Sequence, residues 1–204
     1  MTSRKEMERE HRRQLLLEAA ARVFGRKPFD EATIQEVAAE AEIGIQGLYE
    51  HFPSKQEIYE QVMDLRAAHF RRSAEIALGE AGSEPLDRLR ILARVYVQQF
   101  QDRPFSLPMF ARDRVSFDFN FDCRFRKHYE EIYQAERQRL VTILGEGVAA
   151  GDLVDLDPEF LAQLCMDVFQ ASLHHSHPNL DAAEVEVCVE RALACLLNGI
   201  IRRR

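Results

Sequence analysis

Residues 33–58 read TIQEVAAEAEIGIQGLYEHFPSKQEI, and this stretch decides the fold class. Thr33-Ile34-Gln35-Glu36 has the form of a capping box, in which a hydroxyl and a carboxylate satisfy free backbone donors at a helix start. Ile34, Val37, Ala38 and Ala41 then recur at helical spacing and predict a short second helix. A turn follows near Glu42-Ile43-Gly44, then a third short segment that Pro53 ends after Phe52. Ser54-Lys55-Gln56-Glu57 is a second capping box and opens a further helix. Two short helices joined by a tight turn are the geometry that sets a second helix into the major groove of DNA. The same spacing also serves plain helix packing, so the pattern alone leaves both readings open.

Working outward, the rest of the chain is helical with sparse punctuation. Leu16, Ala19, Ala20, Val23 and Phe24 predict a first helix from about Glu8 to Phe24, stopped by Gly25. The helix opened at Ser54 carries Ile58, Val62 and Leu65 to about Leu78. Pro85 opens the next, through Leu89, Ala93, Val97 and Phe100, and a short helix or turn is expected around Pro104 and Pro108. A long helix from about Asp122 to Ala150 ends at Gly151, and two more begin at Asp157-Pro158 and Asp181. Phe117 to Phe121 alternates like a strand but has nothing to pair with, so it reads as loop. The expected fold is all-α with about nine helices. A division into an N-terminal helix-turn-helix domain (1–55) and a C-terminal helical domain (56–204) is expected.

Composition excludes several classes. At 46% hydrophobic and 30% charged, the chain is ordinary globular material. No uncharged run reaches the roughly 18–20 residues of a membrane span. The N-terminus is charged throughout, without an apolar signal region, so no membrane partner and a cytoplasmic location are expected. Cys123, Cys165, Cys188 and Cys195 include no C-x-x-C pair, so neither a metal nor a redox motif is present. Cys165, Cys188 and Cys195 read as small core hydrophobes, and Cys123 fits a buried or inert thiol better than an oxidant sensor. His174, His175 and His177 fit polar side chains favoured at a helix C-terminus better than a metal site. There is no phosphate loop, no Gly-x-Ser-x-Gly elbow and no His-Glu-x-x-His, so neither an enzyme nor a cofactor is expected.

The net charge of −7 first argues against DNA, whose affinity rests on phosphate neutralisation. Resolved by region it does not. Residues 1–55 hold 9 basic and 10 acidic side chains, and the remainder 18 and 24. Arg4, Lys5, Arg9, Arg12 and Arg13 cluster at the start of the first helix, where they can reach phosphate as an arm or simply be solvated.

Val37 to Ile43, Gly47-Leu48-Tyr49-Glu50-His51-Phe52 and Ser54 to Ile58 together resemble the N-terminal domain of the tetracycline-repressor family of transcriptional regulators. The Leu-Tyr-x-His-Phe string followed by x-Ser-Lys carries most of the likeness, and Ala19 to Gly25 supports it. The motif-level resemblance covers about residues 10–60; beyond that only helix order and length agree. It implies that Tyr49 contacts the DNA backbone and that Lys55 and Thr33 bind phosphate. It implies that Ile45, Gln46, Gly47 and His51 face the groove, while Leu48 and Phe52 belong to the core. Gln46 can pair with an adenine edge and Ile45 can touch a thymine methyl. Gly47 permits close approach. The sequence departs from the family at Glu42, usually Gly, and at Gly44, usually Ser or Thr. If φ is positive at Glu42, a different turn geometry is expected there. Ile45 takes a place often polar or basic, and Glu50 adds a negative charge to the reading helix.

Between Phe100 and Tyr133 the aromatic density far exceeds the chain's 9%. Phe100, Phe105, Met109, Phe110, Phe117, Phe121, Tyr129 and Tyr133, with Phe169 on a later helix, are the expected wall of an effector pocket. Arg103, Arg112, Arg114, Arg124 and Arg126 interleave with the rings. In the resemblance, the last two helices pair across a two-fold axis. Leu161, Cys165, Val168, Ser172, Cys188, Ala192, Cys195 and Gly199 are their expected dimer-interface residues. The whole implies a homodimeric, ligand-responsive repressor, with a double-stranded palindromic operator and a small hydrophobic or aromatic effector as partners. The competing reading is a helical carrier that keeps the aromatic pocket without sequence-specific DNA binding.

Overall fold

The structure is a computed structural model that describes residues 3–102, 123–174 and 182–200. Eight α-helices and no strand occur among the described residues: α1 (Arg4–Arg26), α2 (Ile34–Glu40), α3 (Ile45–Tyr49), α4 (Lys55–Gly79), α5 (Pro85–Asp102), α6 (Cys123–Ala150), α7 (Pro158–His174) and α8 (Ala182–Ile200). The element expected around Pro104 and Pro108, and the loop expected at Phe117 to Phe121, lie outside the described residues.

Two boundaries of α1 differ from expectation. It begins at Arg4 because Ser3 forms a capping box with Glu6. The Ser3 hydroxyl accepts from the Glu6 amide at 3.3 Å, and the Ser3 amide donates to the Glu6 carboxylate at 2.6 Å. Arg4 to Arg13 are therefore a helical extension rather than an arm. At the other end Gly25 stays inside the helix. Lys27 leaves it, extended at φ −135° and ψ 146°, the conformation that a residue before proline adopts. The third helix is also shorter than expected. Glu50 and His51 form a turn after Tyr49, and Phe52 precedes Pro53.

Two apolar clusters organise the chain. The N-terminal one joins Leu16, Leu17, Ala20, Val23 and Phe24 of α1, Val37 and Ala38 of α2, Leu48, Phe52, and Ile58, Tyr59, Val62 and Met63 of α4. Its centre is aromatic: Phe24 meets Tyr59 edge-on at 4.9 Å, and Phe29 meets Tyr59 at 5.1 Å. The second cluster joins Ala74 of α4 with α5, α6, α7 and α8 through Leu89, Leu92, Ile143, Leu144, Leu161 and Leu196. Within it α6 packs on α7, α7 on α8, and α5 on both α4 and α8. Gly147 marks its closest approach, since a Cβ there would lie 2.7 Å from Leu153 and 3.3 Å from Pro85. Helix α4 is continuous and contributes to both clusters, so the head core reaches past residue 55 as far as Met63. Arg66 is the buried charged side chain between them on α4, at 6% exposure.

Candidate nucleic-acid interface

The reading end is assembled by local bonds. At the start of α2 the Thr33 hydroxyl accepts from the Glu36 amide at 3.2 Å, and the Thr33 amide donates to the Glu36 carboxylate at 2.9 Å. Lys27 also bonds that carboxylate. The Lys27 ammonium, then the Thr33 amide and hydroxyl, hold the Glu36 carboxyl down at about 2. At its other end, Glu40 accepts from Arg22 at 2.6 Å and from Arg26, and these two guanidiniums lower its pKa. Helix α2 is thus tied at one end to α1 and at the other to Lys27, the residue that follows α1.

The turn into α3 is a Schellman motif. The Ile43 amide donates to the Ala38 carbonyl at 3.0 Å, and the Glu42 amide donates to the Ala39 carbonyl at 3.1 Å. Glu42 holds the left-handed position at φ 55°. The expectation of a different turn geometry there is corrected. The glutamate takes the glycine conformation itself, because two hydrogen bonds and Ile43 packing on the core hold the turn. Helix α3 then starts after its N-cap residue Gly44, which gives it no side-chain cap.

Leu48 and Phe52 are fully buried, and they anchor the short helix to the head core. Ile45 and Tyr49, one turn apart, stand 41% and 50% exposed. Gln46 and Glu50 are also exposed. Gly47 is half-buried, yet a Cβ there would meet only the tip of Ile43 at 4.0 Å. Packing therefore does not require glycine at this position. His51 is half-buried, and its Nδ1 is enclosed without a hydrogen-bond partner among the described residues. Thr33 is exposed. The Lys55 ammonium lies over the Phe29 ring at 4.3 Å and donates to the Phe29 and Ala32 carbonyls at 2.7 and 2.9 Å. The sequence signals that role only by a lysine in a helix's first turn; the loop carbonyls it binds come from 23 and 26 residues earlier.

Beside the second cluster, Phe169 of α7 lies tilted against Tyr96 of α5 at 6.1 Å, and Tyr96 meets Phe70 of α4 edge-on at 6.3 Å. Sequence reasoning missed Phe70 and Tyr96, which lie outside the aromatic-dense stretch. Phe105, Met109, Phe110, Phe117 and Phe121 lie outside the described residues, as do Arg103, Arg112, Arg114, His175 and His177. Phe100, Tyr129, Tyr133, Cys123, Arg124 and Arg126 fall on α5 and α6, and His174 on α7, but their side chains are not among those described. An open groove of about 700 Å³ between the end of α4, the start of α5 and the end of α6 is lined by none of the expected effector residues. On α6 burial pushes the Glu136 carboxyl above its ordinary range, against the pull of Arg139 and Arg71.

Of the expected interface residues, Leu161, Cys165 and Ala192 are buried within the chain itself. Helical periodicity alone cannot tell an inward face from an outward one. Burial pushes the Cys165 thiol up to about 11. Val168 and Cys188 are half-buried, Gly199 is exposed, and the side chain of Ser172 is not described. Cys195 is exposed, a correction to its reading as a core residue. Phe160 and Val187 on the same two helices, missed from sequence, stand 55% and 47% exposed. Among the described residues, no group of acidic, His and Cys side chains could hold a metal, and no helix is long and apolar enough to cross a membrane.

A capped α2, a Schellman turn and an outward-facing α3 seated on a helical body define a DNA-binding helix-turn-helix regulator. The sequence model described as "Bacterial regulatory proteins, tetR family" matches residues 16–62. The chain is 28% identical over 199 residues to the transcriptional repressor KstR2 of Mycolicibacterium smegmatis, covering 93% of this chain and 90% of that one. Its fold is similar to the ketosteroid transcriptional regulator KstR2 of Mycobacterium tuberculosis, with a TM-score of 0.72, 23% identity and coverage of 94% and 96%. It is also similar to the fatty acid degradation regulator FadR of Bacillus halodurans, with a TM-score of 0.79, 16% identity and coverage of 95% and 97%. Residues 16–62 thus carry a domain of the TetR type of bacterial regulatory proteins.

Proposed function

We propose that this regulator is a cytoplasmic, homodimeric repressor that holds a palindromic operator and is released by a small hydrophobic effector. The observation that carries the reading is α4, a single helix rooted in both cores, with the reading helix packed at one end and Phe70 at the other. Residues 1–55 with the first turns of α4 form the reading head, and the rest forms the effector and dimer body. In the head, Tyr49, Thr33 and the third donor of Lys55 contact phosphates. Gln46 reads an adenine edge, Ile45 meets a thymine methyl, Gly47 lets the backbone approach, and His51 closes the end of that surface. Lys5, Arg9 and Arg12 fall on one face of α1 and make no hydrogen bond or ion pair among the described residues, which suits them to phosphate.

In the body, Phe160, Val187, Cys195 and Gly199 face a second copy across the two-fold axis, with Val168, Ser172 and Cys188 at the edge. Two reading helices are then placed about one DNA turn apart. The effector lies against Phe169 and the rings between Phe100 and Tyr133. The names of the relatives, a ketosteroid regulator and a fatty acid degradation regulator, support a lipid-like molecule. The effector binds the released state more tightly and, through α4, changes the separation of the heads.

The test is selection of a duplex from a random-sequence pool, followed by binding measurements near physiological salt. The expected result is a palindromic sequence bound by a dimer, with Tyr49→Ala losing roughly tenfold or more in affinity, the scale of one good contact. Binding that is weak, blind to sequence and unchanged by Tyr49→Ala would sink the reading.

A further inference from the structure

We infer that Arg13 is a positioning residue for the reading helix: it sets the orientation of α3 relative to α4 and does not itself touch DNA. The inference rests on α3 being the element that enters the groove. By position Arg13 belongs with the cations expected to reach phosphate, but the fold turns it inward. Its guanidinium lies 4.9 Å from the centroid of the fully buried Phe52 ring. One nitrogen donates to the His51 carbonyl at 3.5 Å, and another donates to the Gln61 side-chain oxygen. The Gln61 amide in turn donates to Glu57 at 2.9 Å. Arg13 of α1 therefore grips, in one planar group, the backbone leaving α3 and a side chain of α4.

Helix α3 has few other restraints. It is five residues long and lacks a side-chain cap at Gly44. Leu48 and Phe52 seat it by apolar contact, which fixes depth better than direction. A guanidinium has a rigid fork of donors and a flat face for stacking, so it fixes direction in a way that an ammonium cannot. It also lies at the carbonyl end of the α3 segment, where a cation is favoured. A displacement of α4 reaches α3 through the Gln61–Arg13–His51 contact, and the outward angle of Ile45, Gln46 and Tyr49 follows. Lys5, Arg9 and Arg12 on the same helix are exposed and make no such tie among the described residues.

The experiment compares the intact protein with Arg13→Met, Arg13→Lys, Gln61→Leu and Arg12→Met. Two duplexes are used, one enriched by the wild-type protein from a random pool and one a scrambled version of it. Affinities are measured across a salt series, well below the thermal midpoint of each variant. Arg13→Met is expected to weaken the enriched duplex by roughly tenfold, the scale of couplings between contacting residues. The scrambled duplex and the slope of log affinity against log salt should be unchanged. Arg12→Met should show the opposite signature, a slope smaller by about 0.9 and equal weakening on both duplexes. Gln61→Leu should act like Arg13→Met, and the double variant should lose less than the product of the two.

A slope lowered by about one in Arg13→Met would make Arg13 a phosphate contact and overturn the inference. Unchanged affinity for the enriched duplex, with only a lower thermal midpoint, would make it merely structural and overturn it too. If Arg13→Met does not fold, Arg13→Lys and Gln61→Leu decide by the same ratio of enriched to scrambled binding. A wild-type protein that enriches no sequence removes the parent reading, and this one with it.

Discussion

In the head, short elements are held by named polar bonds; in the body, long helices are held by apolar faces. Helices α2 and α3 have 7 and 5 residues, too few to be stable alone. They persist because Thr33 and Glu36 close one end, the Schellman turn closes another, and Lys55, Arg22 and Arg13 bind across elements. Helices α4 to α8 have 17 to 28 residues; Ser54 caps α4, and Arg88–Glu146 and Arg137–Glu159 pair across helices, but these ion pairs are partly exposed. Their order comes from Leu89, Ile143, Leu144, Leu153, Leu161 and Leu196 filling a shared interior. A head of this kind presents side chains in a defined direction, whereas apolar packing leaves room for helices to slide.

The largest test of this contrast is truncation in each core. Phe52→Ala and Leu161→Ala should each cost about 2–5 kcal/mol, since both side chains are fully buried. The head variant should also lose DNA binding under conditions where it remains folded, because Phe52 seats both α3 and Arg13. If Leu161→Ala abolished DNA binding equally, well below its midpoint, the division of labour between the cores would fail. A smaller effect is expected where the body is tightest. Gly147→Ala places a methyl against Leu153 and Pro85 and should cost about 1–3 kcal/mol in chemical denaturation. A neutral result there would mean that the α6–α7 connection gives way easily. The smallest effect is a gain in the head. Glu42→Gly removes a left-handed non-glycine residue from the Schellman turn and should raise stability by about 1 kcal/mol. A loss of stability would show that the side chain, rather than the two turn bonds, holds Glu42 in place.

The head was the more legible region because its information is local. Capping boxes, a turn and a Leu-Tyr-x-His-Phe string act within a few residues, so the chain order alone placed α2, α3 and the start of α4. Even there, distance hid what mattered for the site. Nothing in the sequence near Lys55 points to the carbonyls of Phe29 and Ala32. Nothing near Arg13 points to His51 and Gln61. Charge clustering grouped Arg13 with cations that could reach phosphate or be solvated, and the fold turned it inward to His51 and Gln61. In the body, helical spacing identified apolar residues without saying which way they face. Leu161, Cys165 and Ala192 turned inward, while Phe160, Val187 and Cys195 turned out. The aromatic density between Phe100 and Tyr133 drew attention away from Phe70 and Tyr96, which the fold brings beside Phe169.

By itself, the sequence determined the helical class, most helix starts and stops and the helix-turn-helix, because those depend on neighbours three or four residues apart. The tertiary structure alone decided which cations are free and which are spent inside. It also decided which faces of α7 and α8 remain open, and that a single helix serves both cores. Those properties depend on contacts between residues tens of positions apart, which no local pattern records.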